Sequence, residues 1–152
     1  MSGNAEVAIS ALHALAAAEM DALERLYAPD FVFHTQLSGR PEGHAGLRDR
    51  ALMISSALYD ANLSVEIVVE KDDMVVCRWR GHAVHKGDLL GVPGTGRQVE
   101  AAGITIFRIV DGAVAEEWTE FDGLGLLNQI GGHHAAVPAA KPPVPAPTPA
   151  PL

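Results

Sequence analysis

The run Trp118-Thr119-Glu120-Phe121-Asp122 holds the side chains best suited to chemistry. In an extended strand alternate residues share a face, so Trp118, Glu120 and Asp122 fall on one side and Thr119 and Phe121 on the other. Upstream, Val99 to Val110 reads as a strand, and Asp111-Gly112 is a two-residue hairpin signal. A turn closed by Val110 and Ala113 would set Thr105 opposite Trp118, Gly103 opposite Glu120 and Ala101 opposite Asp122. Small residues facing carboxylates leave a hole beside two acids, which suits a ligand better than a core. The expected site is therefore Asp122 as acid/base, with Glu120, Trp118, Gly103 and Thr105 lining the pocket. An enolising substrate needs a base for a carbon-bound proton and donors where oxygen charge develops. Burial, which favours the neutral acid, would make the Asp122 carboxylate a stronger base.

His34 ends the extended piece Phe31-Val32-Phe33-His34, and Gln36 lies two residues on, on the same side. Both could donate to a substrate carbonyl. His82 and His85 stand three apart on a strand and point to opposite faces, so they cannot chelate one metal together. His34, His85 and Asp122 also have the types of a two-histidine, one-carboxylate iron site, although an organic pocket accounts for the same residues. The glycines at 91, 94 and 96 lead into a strand and lack a Gly-Lys-Ser/Thr ending, so they read as a turn, not a phosphate loop. Trp79, Phe31, Phe33 and Tyr59 read as core, and Cys77 as a buried thiol.

These residues need a scaffold of helices followed by strands. Ile9, Leu12 and Ala16 recur at helical spacing in a helix from Ala5 to about Ala18, and Asp21 with Glu24 resembles a capping box opening a short second helix. A third helix is expected over Leu47 to Tyr59, with Leu52 and Tyr59 on one side. Leu63, Val65, Ile67 and Val69 alternate with neighbours as one face of a strand that turns at Lys71-Asp72-Asp73. Met74 to about His85 is a long strand, Ala113 to Asp122 returns from the hairpin, and Gly123 to Gln129 adds a helical turn. The pattern is α+β, with residues 1–131 as one domain and 132–152 as an Ala- and Pro-rich tail.

The 152 residues suit a single domain, and 48% hydrophobic with 20% charged residues is ordinary for a folded globule. A net charge of −8 without a basic stripe argues against nucleic acid as a partner. No apolar run reaches membrane-spanning length. One cysteine and no basic flank before the apolar N-terminal stretch fit a cytoplasmic protein. The face carrying Ile104, Ile106 and Phe121 around Arg108 and Glu117 is too apolar for open water and suggests a homo-oligomer, a dimer or tetramer.

His85-Lys86-Gly87, Gly91-Val92-Pro93-Gly94-Thr95-Gly96-Arg97, Ile106-Phe107-Arg108, Asp111-Gly112, Trp118, Asp122 and Leu126-Leu127-Asn128-Gln129-Ile130-Gly131 occur in a familiar order. From about Ala5 to Gly131 the chain resembles the SnoaL-like polyketide cyclases of the nuclear transport factor 2-like superfamily, which includes ketosteroid isomerase. The resemblance implies a cone-shaped α+β barrel, a curved and mostly antiparallel sheet wrapped around the N-terminal helices. It also implies intramolecular aldol ring closure of an aromatic polyketide, a hydrophobic polycyclic substrate and no metal or organic cofactor. It assigns acid/base work to Asp122 and matches His34 and His85 to recurrent histidines. The family's Pro-Pro-Thr-Gly is Pro93-Gly94-Thr95-Gly96 here, and the tail is additional. Because the superfamily also hosts hydroxylases, hydrolases, isomerases and proteins without activity, a related isomerase or hydroxylase, or a non-catalytic binding module, remains an alternative.

Overall fold

The computed structural model describes residues 3–34 and 43–132. Gln36 and the tail from 133 onward lie outside the described residues. The elements run α1 (Gly3–Ala16), α2 (Met20–Leu26), β1 (Tyr27–His34), α3 (Gly43–Ala57), β2 (Leu58–Lys71), β3 (Met74–His85), β4 (Gln98–Val110), β5 (Ala113–Phe121) and α4 (Gly123–Gln129). They form an α+β fold whose five-stranded mixed sheet has the order β1-β5-β4-β3-β2. Only β1 and β5 run parallel. The sheet does not close on itself, and the architecture agrees with the cone expected from the resemblance.

Helices α1 to α3 cover one face of the sheet. Ala5, Ala8 and Leu12 of α1, Leu23 of α2 and Leu47 and Ala51 of α3 join Val75, Cys77, Phe107, Ile109 and Val114 in one buried cluster. The buried side of α1 is largely alanine, which lets the helix lie close to the strands, while Ile9 and Ala16 are only half-buried. The second helix is not opened by the expected capping box. Its N-cap is Glu19, with no side-chain hydrogen bond. In α3 the buried side carries Leu47, Arg50 and Ala51; Leu52 is exposed, and Tyr59, expected in this helix and in the core, lies in β2 and is exposed.

Asp111 and Gly112 both take positive φ, 50° and 76°, as a type I′ hairpin turn requires. Of the register shifts in the sheet, one in β2 and one in β5 break the simple alternation in ways that matter here. In β2 the pairing passes from Val65 opposite Trp79 to Ile67 opposite Arg78, so Glu66 is the extra residue. Leu63 and Val65 therefore face the helices, while Ile67 and Val69 turn outward and are 54% and 57% exposed. One extra residue reverses every side chain beyond it. The second bulge lies in β5 and decides the site.

Candidate functional site

Val110 pairs with Ala113 and Ile109 with Val114, as the turn dictates, but Arg108 then pairs with Glu116. Ala115 is the extra residue. Beyond it Phe107 faces Glu117, Thr105 faces Thr119 and Gly103 faces Phe121. The inner, helix-covered face thus receives Glu117 and Thr119. Glu116, Trp118 and Glu120 point outward beside Arg108, Ile106 and Ile104. The expected grouping of Trp118 and Glu120 with Gly103 and Thr105 is therefore corrected: the two strands bring them to opposite faces. The hole inferred at Gly103 is also filled, because a Cβ built there would stand 2.6 Å from Cζ2 of Trp79.

What the inner face does carry is a connected set of polar groups. Glu117, 1% exposed, accepts from Arg50 Nη2 at 2.8 Å on Oε1 and from Nη1 at 3.2 Å on Oε2. Tyr27 Oη donates to Oε2 at 2.7 Å, and Thr119 Oγ1 donates to Oε1 at 3.0 Å. Thr105 and Thr119 hydroxyls lie 2.9 Å apart, and the Trp79 indole N–H donates to Thr105 at 3.0 Å. The Arg50 guanidinium lies 3.9 Å from the centre of the Phe33 ring.

Burial pushes the Glu117 carboxyl up, but the charge of Arg50 and the hydrogen bonds from Arg50, Tyr27 and Thr119 outweigh it and hold the group below the usual carboxylate range. Burial and the adjacent Glu117 charge push the Tyr27 phenol well above its usual value. A carboxylate that accepts four hydrogen bonds and faces a guanidinium is a poor base, since its lone pairs are engaged and its charged form is favoured. Glu117 with Arg50 makes a rigid, ionised floor.

The proposed catalytic residues lie in three different places. Asp122 follows β5 and caps α4, its Oδ1 accepting from Gly125 N–H at 2.8 Å. It is exposed, so the burial expected to sharpen it is missing. Among the described residues its Oδ2 has no hydrogen-bond partner. His34 ends β1 on the outer face, where its ring stacks on Trp118 at 4.4 Å between centroids and Nε2 lies 2.7 Å from Glu116 Oε2. His85 is fully buried at the end of β3. Its Nδ1 accepts from Thr95 N–H at 3.3 Å, with the Thr95 hydroxyl at 2.9 Å, which ties the 86–96 loop to the strand. His85 Nε2 is buried without a partner among the described residues.

His82 does point away from His85 and lies 3.5 Å from Glu100. Among the described residues no three His, Cys, Asp or Glu side chains group as metal ligands. Sequence reasoning missed Arg50 and Tyr27, and it put Glu117, Thr119 and Phe121 on the far face, whereas the bulge brings all three to the inner one. The signal available was weak: two successive glutamates in a strand, one of which must turn inward.

An open α+β cone with a buried ion pair on its inner face and an exposed carboxylate just after an interior strand is the class these features define. The family model for SnoaL-like polyketide cyclase matches residues 6–130, and the chain belongs to that family. TsrD from Streptomyces laurentii is 27% identical and superposes with a TM-score of 0.77 over 84% of this chain and 94% of its own. IdmH from Streptomyces antibioticus, a candidate polyketide cyclase, is 26% identical, with a TM-score of 0.73 over 84% of this chain and 98% of its own. AclR from Streptomyces galilaeus, a candidate hydroxylase, is 23% identical and shares the fold, with a TM-score of 0.73 over 84% and 95%. No curated protein matches the sequence.

Proposed function

We propose that the protein is a cyclase that closes a ring of an aromatic polyketide by intramolecular aldol condensation, with Asp122 as the acid/base and no metal or organic cofactor. One observation carries the choice of residue. Among the described residues Asp122 keeps an uncommitted oxygen, and its near neighbours in the chain, Phe121 and Leu124, have half-exposed side chains, whereas both oxygens of Glu117 are engaged. Exposed apolar side chains close in the chain to a free carboxylate suit a hydrophobic polycyclic substrate carrying an acidic methylene.

In this reading Asp122 Oδ2 takes a proton from a methylene between two carbonyls. The carbanion attacks a third carbonyl carbon, a carbon–carbon bond forms, and the carbonyl π electrons move to oxygen. The new alkoxide takes back the proton from Asp122, so no proton is gained or lost. The work asked of the enzyme is modest, because the methylene is already acidified and the reacting ends are held close. His34 and His85 have no assigned step, one on the outer face of the sheet and the other buried against Thr95 of the 86–96 loop.

Asp122→Asn is the decisive variant. Asn caps helices as well as Asp, so α4 is preserved while the base is lost. On an uncyclised anthraquinone-type β-dicarbonyl ester, turnover should fall roughly 100-fold or more, the usual scale of one acid/base group. Equal turnover would remove Asp122 from the mechanism, and loss of activity on exhaustive metal chelation would favour the iron alternative. The outward face, where Ile67, Val69 and Ile104 are about half exposed, is the proposed surface for a second copy. Sedimentation of Ile67→Lys against the parent chain tests it.

A further inference from the structure

Helix α4 begins Gly123-Leu124-Gly125. Glycine is the poorest helix former after proline, and two of them in so short a helix weaken it. Where a sequence breaks a local rule, a compensating gain is expected. Gly123 shows none, because a Cβ there would make only ordinary contacts, 3.6 and 3.9 Å from the Phe121 ring. At Gly125 the same Cβ would stand 2.3 Å from Asp122 Oδ2, 2.7 Å from Cγ and 3.1 Å from Oδ1. The whole carboxylate lies across the space that a side chain at 125 would fill.

The backbone at Gly125 is held from the other side. Its carbonyl accepts from Gln129 Nε2 at 3.3 Å. The Gln129 side chain is itself pinned to β4, its Nε2 donating to Glu100 O and its Oε1 accepting from Glu100 N–H, both at 2.7 Å. Arg97 Nη1 donates to Gln129 O at 3.1 Å, and Leu126 and Ile130 are buried with Val99 in one cluster. The start of the helix is tied to the same strand, since Asp122 N–H donates to Ala102 O at 3.3 Å. With α4 held at both ends, the freedom left is rotation of the exposed Asp122 side chain.

We infer that Gly125 is the positioning residue for the Asp122 carboxylate. Its N–H fixes Oδ1 at 2.8 Å, and its missing Cβ leaves room for Oδ2 to lie over the same residue. Together they hold the carboxylate in one orientation, with Oδ1 anchored and Oδ2 left to take a proton. A methyl group at 125 displaces both oxygens. The inference rests on the reading of Asp122 as the acid/base, and it gives Gly125 no contact with substrate.

Gly125→Ala is the test and Gly123→Ala its control, each in the full chain. Alanine favours the helix at both positions, so urea midpoints should hold or rise. On the β-dicarbonyl ester, Gly125→Ala should lower kcat roughly tenfold to 100-fold, the scale of a small misplacement of a reacting group, with KM unchanged. Gly123→Ala should turn over like the parent. Placed in the Asp122→Asn chain, Gly125→Ala should add no further loss, because the group it positions is already gone. Parental kcat in Gly125→Ala, an equal fall in Gly123→Ala, or losses that multiply in the double variant would overturn the inference. So would a lowered urea midpoint in Gly125→Ala, since the helix and not the carboxylate would then have given way. Parental turnover in Asp122→Asn removes the acid/base reading and this role for Gly125 with it, whereas slow Asp122→Asn beside parental Gly125→Ala removes the inference alone.

Discussion

Replacing Arg50 by Met is expected to destabilise the protein severely, and the structure sets the scale. The Arg50 and Glu117 side chains are 10% and 1% exposed and share two hydrogen bonds. Removing one member of a buried pair costs about 3 to 5 kcal/mol, because the remaining charge is stranded away from water. Arg48 with Glu24 is the internal control, since those side chains are 61% and 35% exposed and such pairs contribute about 0 to 1 kcal/mol. Urea unfolding followed by circular dichroism at pH 7 would measure both variants. The cost of Arg50→Met should also shrink with acid. Without the guanidinium, burial dominates and raises the Glu117 carboxyl above its unfolded value, so the penalty is present above that value and is relieved as the group protonates. Adding Glu117→Gln should recover part of the loss at neutral pH. A cost for Arg50→Met below about 1 kcal/mol, or equal to that of Arg48→Met, would refute the account of the floor as a stranded-charge problem.

Tyr27 has its phenol raised by burial and by Glu117, so its contribution to stability is complete below the unfolded tyrosine value of about 10 and is lost as pH climbs toward the folded one. Stability of the parent chain should therefore fall above about pH 10, and Tyr27→Phe should flatten that limb in denaturant titrations. Gly103→Ala sets a methyl 2.6 Å from Glu120 O and from Trp79 Cζ2. It should cost about 1 to 3 kcal/mol by overpacking, visible as a lower urea midpoint. Burial pushes the Cys77 thiol up to about 11. A disulfide reagent at pH 8 should leave it unmodified in the native chain and titrate it fully in 6 M guanidinium chloride.

The strand β3 and the turn at Asp111-Gly112 were legible because a long apolar alternation and an Asp-Gly pair each have one physical solution. Helix α4 was legible for the same reason, with Asp122 able to cap it. The faces of β2 and β5 were not. A bulge adds a residue without requiring any special side chain, so nothing in Ala113-Val114-Ala115-Glu116 shows that Ala115 is the extra residue. Glu117 was hidden for a second reason. What makes its burial tolerable is Tyr27 and Arg50, which are 90 and 67 residues away along the chain. A sequence window sees an acid in a strand and, from the unbulged register, sets it beside Arg108 on the outer face. Thr105 and Gly103 were grouped correctly with Phe107 and Ile109 by simple alternation along β4, but the unbulged hairpin register gave them partners from the wrong face of β5.

The extra residue at Ala115 has a consequence for how such a chain can change over generations. β5 carries two complete sets of side chains, Glu117 with Thr119 and Glu116 with Trp118 and Glu120, and the reading frame of the strand decides which set meets the interior. Gain of one residue between Ala115 and Glu116, with the one-residue bulge kept, would exchange the lining of the cone for its outer coat in a single event, whereas loss of Ala115 would only remove the bulge and leave Glu117 facing inward. Insertions near hairpin turns are therefore a direct route to new chemistry in a scaffold of this kind.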